Sequence, residues 1–130
     1  MGVNYLLDTN IIIYYLQRLF PNSVMAFVDE IFKTSKPCFS VITEIELLCW
    51  KTPTLNDIKL LQRFINDSTV IELDSSIKYK TAYIRQNCNI KLPDAIIAAT
   101  ALVNNFTLVT RNISDFSRIE GLKTINPWEL

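Results

Sequence analysis

Asp8 stands inside the run YLLDTNIII, a carboxylate with core-type residues on both sides of it. Asp94 stands near the head of LPDAIIAATAL, the most apolar stretch of the sequence, and is the only acid between Asp74 and Asp115. Asp115 follows the apolar run FTLVT, and SVITEIELL offers Glu44 and Glu46. Each acid has an ordinary job open to it. Asp8 and Asp94 suit helix starts, Asp115 suits a turn, and either glutamate suits a solvated helix face. Gathered in one place, they would do something else. Clustered carboxylates repel and raise one another's pKa unless a cation neutralises them. A divalent metal ion would do so, and would also hold a phosphate oxygen and lower the pKa of a bound water. That is the chemistry of phosphodiester hydrolysis.

The rest of the composition narrows the choice. The chain has no histidine, which removes His-based acid–base catalysis, the Ser-His-Asp triad and nearly all catalytic zinc sites. Any metal must be held by oxygen, which favours Mg²⁺ or Mn²⁺. Cys38, Cys49 and Cys88 are widely spaced and odd in number, so they read as reduced packing groups. Thirteen basic and thirteen acidic residues give a net charge of zero. With four acids set around a metal, thirteen cations face nine remaining acids, so a neutral total can hide an acidic pocket in a basic rim.

These acids need elements to position them. Val3 to Leu7, KPCFSV, TVIEL, FTLVT and LKTINP read as five short strands. Helices are expected from DTNIIIYYLQRL, PNSVMAFVDEIFKTS, TPTLNDIKLLQRFIND, DSSIKYKTAYIRQN and LPDAIIAATALVNN, with another running from a Thr43 cap to Trp50. In that last helix Ile42, Ile45, Leu48 and Cys49 share the side expected to face the core. Glu44 and Glu46 point about 200° apart, so only one can reach a given site, and spacing alone does not choose between them. Alternating strands and helices imply an α/β fold with a parallel sheet covered on both faces. Ligands in such folds bind beyond the carboxyl ends of the strands, where the strand order switches. Asp8, Asp94 and Asp115 all follow strands or open helices. One domain over residues 1–130 is expected, with no repeat or linker. No apolar run is as long as a membrane span and no signal peptide opens the chain, so a soluble cytoplasmic protein is expected.

In order along nearly the whole chain, LLDTNIII, SVITEIELL, LPDAIIAATAL and LVTRNISDF…INPW resemble the signatures of the PIN-domain ribonucleases, specifically the VapC toxins of toxin–antitoxin pairs. The resemblance implies a three-layer α/β/α domain with a central parallel sheet of about four or five strands. It implies a Mg²⁺- or Mn²⁺-dependent endoribonuclease acting on RNA, a cognate antitoxin and a homodimer. It also selects Glu46 over Glu44, since the family glutamate directly precedes Leu or Leu-Leu. Asp8, Glu46 and Asp94 then correspond to metal-binding acids, and Asn10 to a residue that orients the site. Many relatives carry Asp where this chain has Asn112; Asp115, three residues on, is expected to supply the fourth carboxylate, with Asn112 capping its helical turn. Arg111 could hold RNA phosphates, with a solvated surface role as the rival. Tyr14, Tyr15, Leu19, Phe20, Val24 and Phe27 offer an apolar surface for an antitoxin, with core packing as the rival. The alternative to the enzyme is a catalytically silent PIN-fold module that works through its partner surface.

Overall fold

A computed structural model describes residues 3–130. In chain order it runs β1 (Tyr5–Leu7), α1 (Thr9–Leu16), α2 (Asn22–Thr34), β2 (Cys38–Ser40), α3 (Val41–Leu48), α4 (Leu55–Asn66), β3 (Thr69–Ile71), α5 (Ser75–Asn87), α6 (Leu92–Val103), β4 (Thr107–Val109), α7 (Ile113–Phe116) and β5 (Thr124–Ile125). A 3₁₀ turn at Pro127–Glu129, with no counterpart among the expected elements, follows β5.

All the paired strands are parallel. Leu6 of β1 lies opposite Leu108 of β4, and Leu108 opposite Thr124 of β5. Phe39 of β2 lies opposite Val70 of β3 in a second ladder. β1 and β2 are in contact, although no ladder joins them. The order is therefore β3-β2-β1-β4-β5, split between β2 and β1. The first three strands build outward from β1 to one side, and β4 returns to the other side of it. The switch point expected to hold the site lies between β1 and β4.

Alternation along the strands separates two cores. Leu6 and Leu108 pack with Ile77 and Ile84 of α5, the buried face of α6 and Phe116. Leu7 and Val109 point the other way, to Ile11, Ile12, Ile31, Phe39, Leu47 and Leu61. This is the α/β/α sandwich. α6 is buried from Ala95 through Ala101, as its nearly unbroken apolar sequence predicts, and its alanines let neighbouring elements approach closely. Among the described residues no helix is long and apolar enough to cross a membrane.

Three local expectations are corrected. Ser40, not Thr43, caps α3: its hydroxyl accepts the Ile42 N–H at 3.1 Å. Of the residues expected to face the core, Ile42 does pack against it, beside the buried Thr43 and Leu47, whereas Ile45 and Leu48 are 50% and 61% exposed and Cys49 is exposed. Apolar spacing cannot tell a core face from an uncovered one. Most of the surface assigned to an antitoxin is internal packing: Val24 is fully buried, and Tyr14 and Tyr15 meet Phe20 edge-on or tilted, Tyr15 meets Phe32, and Tyr5 meets Phe27. Leu19 alone of that set is well exposed, at 57%.

Candidate functional site

Asp8 ends β1, and its own N–H donates to the Val109 carbonyl at 3.0 Å, carrying the β1–β4 pairing one residue past the strand. Its backbone is extended and it caps α1, Oδ1 accepting the Thr9 N–H at 2.8 Å. The cap role and a site role are thus filled by one side chain. Oδ2 accepts the Thr110 hydroxyl at 2.8 Å. Thr110 directly follows β4, is fully buried, and itself accepts the Asn112 N–H at 3.0 Å. Its single proton is therefore directed at Asp8. Burial raises the pKa of Asp8; the Thr110 and Thr9 hydrogen bonds oppose this, and the charges of Glu46 and Asp115 add to the rise.

Glu46 reaches the same place from α3. Its Oε1 accepts the Thr9 hydroxyl at 2.6 Å, and the Thr43 hydroxyl lies 3.0 Å from that of Thr9. With the Thr9 proton committed to Glu46, the buried Thr43 must be the donor to Thr9. Glu44, two residues away, is not among the charges that act on Asp8 or Asp94.

Asp94 occupies the first turn of α6, which opens with Leu92 and Pro93 after Lys91 at the cap position. Asp94 is therefore no cap. Its pKa is raised by burial first, then by Asp8, Asp115 and Glu46, with Lys91 opposing. Asp115, in the single turn of α7, lines one small cleft together with Asp94, Asn89, Ile90 and Lys91. The Asn112 amide donates to its carboxylate. Asn112 does sit at the cap position of α7, but its side chain makes no capping bond and holds Asp115 instead.

The four acids thus come from four elements to the strand ends at the β1/β4 switch. Among the described residues the only ion pair is the exposed Lys33–Glu30, so none of the four is ion-paired, and Lys91 offsets only part of the charge felt by Asp94. Nor, among the described residues, do three such groups already close around one point as ready ligands. The donor set nevertheless fits a hard divalent cation: it is all oxygen, and the pKa values of Asp8 and Asp94 are raised first by burial and then by the neighbouring carboxylates. Asp8 and Glu46 are held by hydroxyls in fixed orientations.

Three threonines of this arrangement, Thr9, Thr43 and Thr110, went unrecognised in the sequence. Their signal was a hydroxyl abutting a strand end or lying one turn before an acid, which is common in any α/β protein. Asn10, expected to orient the site, is exposed and takes no part in its hydrogen bonds; Thr9 does that work. Arg111 is exposed, as its surface reading expects, but its side chain is not without partners. Its guanidinium stacks 4.6 Å from the centre of the Trp128 ring and donates to the Tyr14 hydroxyl at 3.4 Å.

Known proteins share both the sequence pattern and the fold. Ribonuclease VapC2 of Haemophilus influenzae is 29% identical, over 95% of this chain and 98% of its own. The tRNA(fMet)-specific endonuclease VapC of Salmonella typhimurium is 28% identical, over 97% and 98%. The crystal structure of VapBC2 from Rickettsia felis bound to a promoter DNA fragment superposes with a TM-score of 0.81 at 26% identity, covering 95% of this chain and 98% of that one. The PIN domain pattern itself matches residues 5–122, spanning the strand ends and all four acids, and so the chain belongs to the PIN domain family.

Proposed function

We propose that this protein is a Mg²⁺- or Mn²⁺-dependent endoribonuclease and the toxin member of a toxin–antitoxin pair. The observation that carries this reading is the convergence of Asp8, Glu46, Asp94 and Asp115, unpaired with cations, at the β1/β4 switch. The nuclease names of its relatives support it. The intact acid set speaks against a silent binding module.

Asp8, Glu46 and Asp94 would hold the metal ion, with Asp115 completing the negative charge. When bound, the ion supplies a phosphate-oxygen contact and a lowered pKa for a coordinated water. The chain's own groups do the remaining work. Thr110 and the Thr9 N–H fix both Asp8 oxygens, leaving each a second lone pair for a ligand. Thr9 fixes Oε1 of Glu46, so Oε2 is free to accept a hydrogen bond from the attacking water and orient it. Asn112 holds Asp115 toward the cleft.

A partner protein would have a groove beside the acids. Ile13, Leu16, Leu47 and Trp50 line it, with Glu46 on its wall. The similar toxin-antitoxin complex from Klebsiella pneumoniae, 27% identical with a TM-score of 0.71, supports an antitoxin as the occupant. Self-association as a homodimer belongs to the same reading. The exposed Ile45 and Leu48 of α3 offer apolar area for it.

The test is RNA cleavage in a Mg²⁺ titration. Wild type should cut, chelation should stop it, and Asp8→Asn should be inactive while folded. Full activity of Asp8→Asn at low Mg²⁺ would refute the metal-site reading.

A further inference from the structure

Cations are unevenly spread along this chain. Residues 75–93 contain Lys78, Lys80, Arg85 and Lys91 and no acid, a local +4 in a chain of zero net charge. Most of that charge lies on α5, whose inner side, Ile77, Thr81 and Ile84, is buried. On the outside, Tyr79 and Tyr83 sit one turn apart and are 72% and 57% exposed. The Lys80 ammonium lies 5.1 Å from the centre of the Tyr83 ring, and that of Lys78 lies 5.5 Å from Tyr79. None of these cations is ion-paired among the described residues.

Beside Tyr83 runs a cleft between α5 and the turn after α7. Lys80, Tyr83, Asn87 and Arg118 line it, and Glu120 is its one carboxylate. The Cys88 thiol donates to the Arg118 carbonyl at 3.5 Å, tying the two walls together. The cleft leads toward the acids: Asn87 and Cys88 line it, and the next three residues, Asn89, Ile90 and Lys91, line the cleft that holds Asp94 and Asp115.

Cations flanking an exposed ring match a single nucleic-acid strand, whose phosphates take the cations and whose unstacked base takes the ring. A duplex keeps its base faces stacked and offers nothing to Tyr83. A second copy of this same surface would bring like charges together.

We propose that the cleft between α5 and residues 118–120 binds a single-stranded segment of RNA adjoining the cleaved phosphate, with Lys80 and Arg118 on its phosphates and Tyr83 stacked on a base. The identity of the polymer rests on the ribonuclease reading; the cleft itself rests on its own charge and geometry.

The experiment is fluorescence anisotropy of a short labelled single-stranded RNA on the full chain, with chelator present so that binding is read without cleavage. The Lys80→Ala, Arg118→Ala double variant should weaken binding about tenfold or more. It should also flatten the dependence of log affinity on log salt by about 1.4, at about 0.7 per phosphate. Tyr83→Ala should cost about tenfold and Tyr83→Phe almost nothing, because both rings stack. Unchanged binding in the double variant and in Tyr83→Ala would overturn the assignment. So would a surface indifferent to Tyr83→Ala from which poly-glutamate displaces the RNA, since that describes a site for an acidic protein. A wild type that binds RNA with these variant effects yet never cuts it in Mg²⁺ would remove the ribonuclease reading and leave the cleft. Normal cleavage with unaltered binding in every variant would do the reverse.

Discussion

Thr110 accepts the Asn112 N–H and gives its one proton to Asp8, so a residue with no charge of its own sets the state of the acid at the centre of the site. Removing it should push the already raised Asp8 pKa higher still. Thr110→Val is expected to lose about 10- to 100-fold in cleavage rate or metal affinity. It should also move the acid limb of the pH–rate profile upward, while Thr110→Ser restores both. A Thr110→Val enzyme with an unshifted profile would show that the hydroxyl only fills space. The two glutamates make a second comparison at this scale. Glu46→Gln should cost orders of magnitude in rate and Glu44→Gln little, because only Glu46 is held by Thr9 and felt by Asp8 and Asp94. Equal losses would mean that α3 presents the wrong face here. Asp8 and Asp94 were legible in the sequence because a carboxylate in an apolar run needs a reason. Glu46 was chosen only through the family resemblance. The threonines were not legible, because a hydroxyl's partner across 34 or 102 residues leaves no local trace.

The elements were legible where one physical demand dominated. α6 is apolar all round, and it is buried all round. The strands were found as apolar runs, yet they pair over at most three residues, shorter than those runs suggested, and the sheet divides between β1 and β2. Pairing length depends on neighbouring backbone that a single run does not reveal. On α3, Ile45 and Leu48 look like core in sequence and stand in solvent, since the helix packs through Thr43 and Leu47. Phe39 of β2 is fully buried and stacks on Phe64 of α4, centroids 6.0 Å apart and planes 9° from parallel. Phe39→Ala should therefore destabilise by about 3–5 kcal/mol in urea denaturation, with an unchanged slope. Because Ser40, next in sequence, caps the helix that carries Glu46, the variant should lose activity at temperatures where wild type still cuts. A loss of under about 1 kcal/mol would show that the site collapses around the cavity more readily than this packing implies.

At the scale of the whole molecule, charge is arranged for the site rather than for stability. Thirteen cations balance thirteen acids, yet the one ion pair among the described residues, Lys33–Glu30, is exposed and contributes little. The acids at the switch point oppose folding when no cation is present. Asp8 and Asp94 bind a proton more tightly folded than unfolded, so stability falls as pH rises from the ordinary carboxylate value of 3.8 through their raised values, and stays lower above them. Metal-free Asp94→Asn should accordingly melt higher than wild type at neutral pH, with the gap closing below about pH 4 as both carboxyls protonate in either state. A variant that melts lower at neutral pH would mean that Asp94 is structurally supported rather than strained. The most direct test of the central claim, that these acids form one cation-binding centre, is calorimetric titration of the metal-free protein with Mn²⁺ at neutral pH. Wild type and Glu44→Gln should bind saturably and alike, with affinity declining as the pH is lowered. Asp8→Asn and Asp94→Asn should each lose more than about tenfold. No saturable binding by wild type, or binding by Asp8→Asn and Asp94→Asn as tight as its own, would contradict the account.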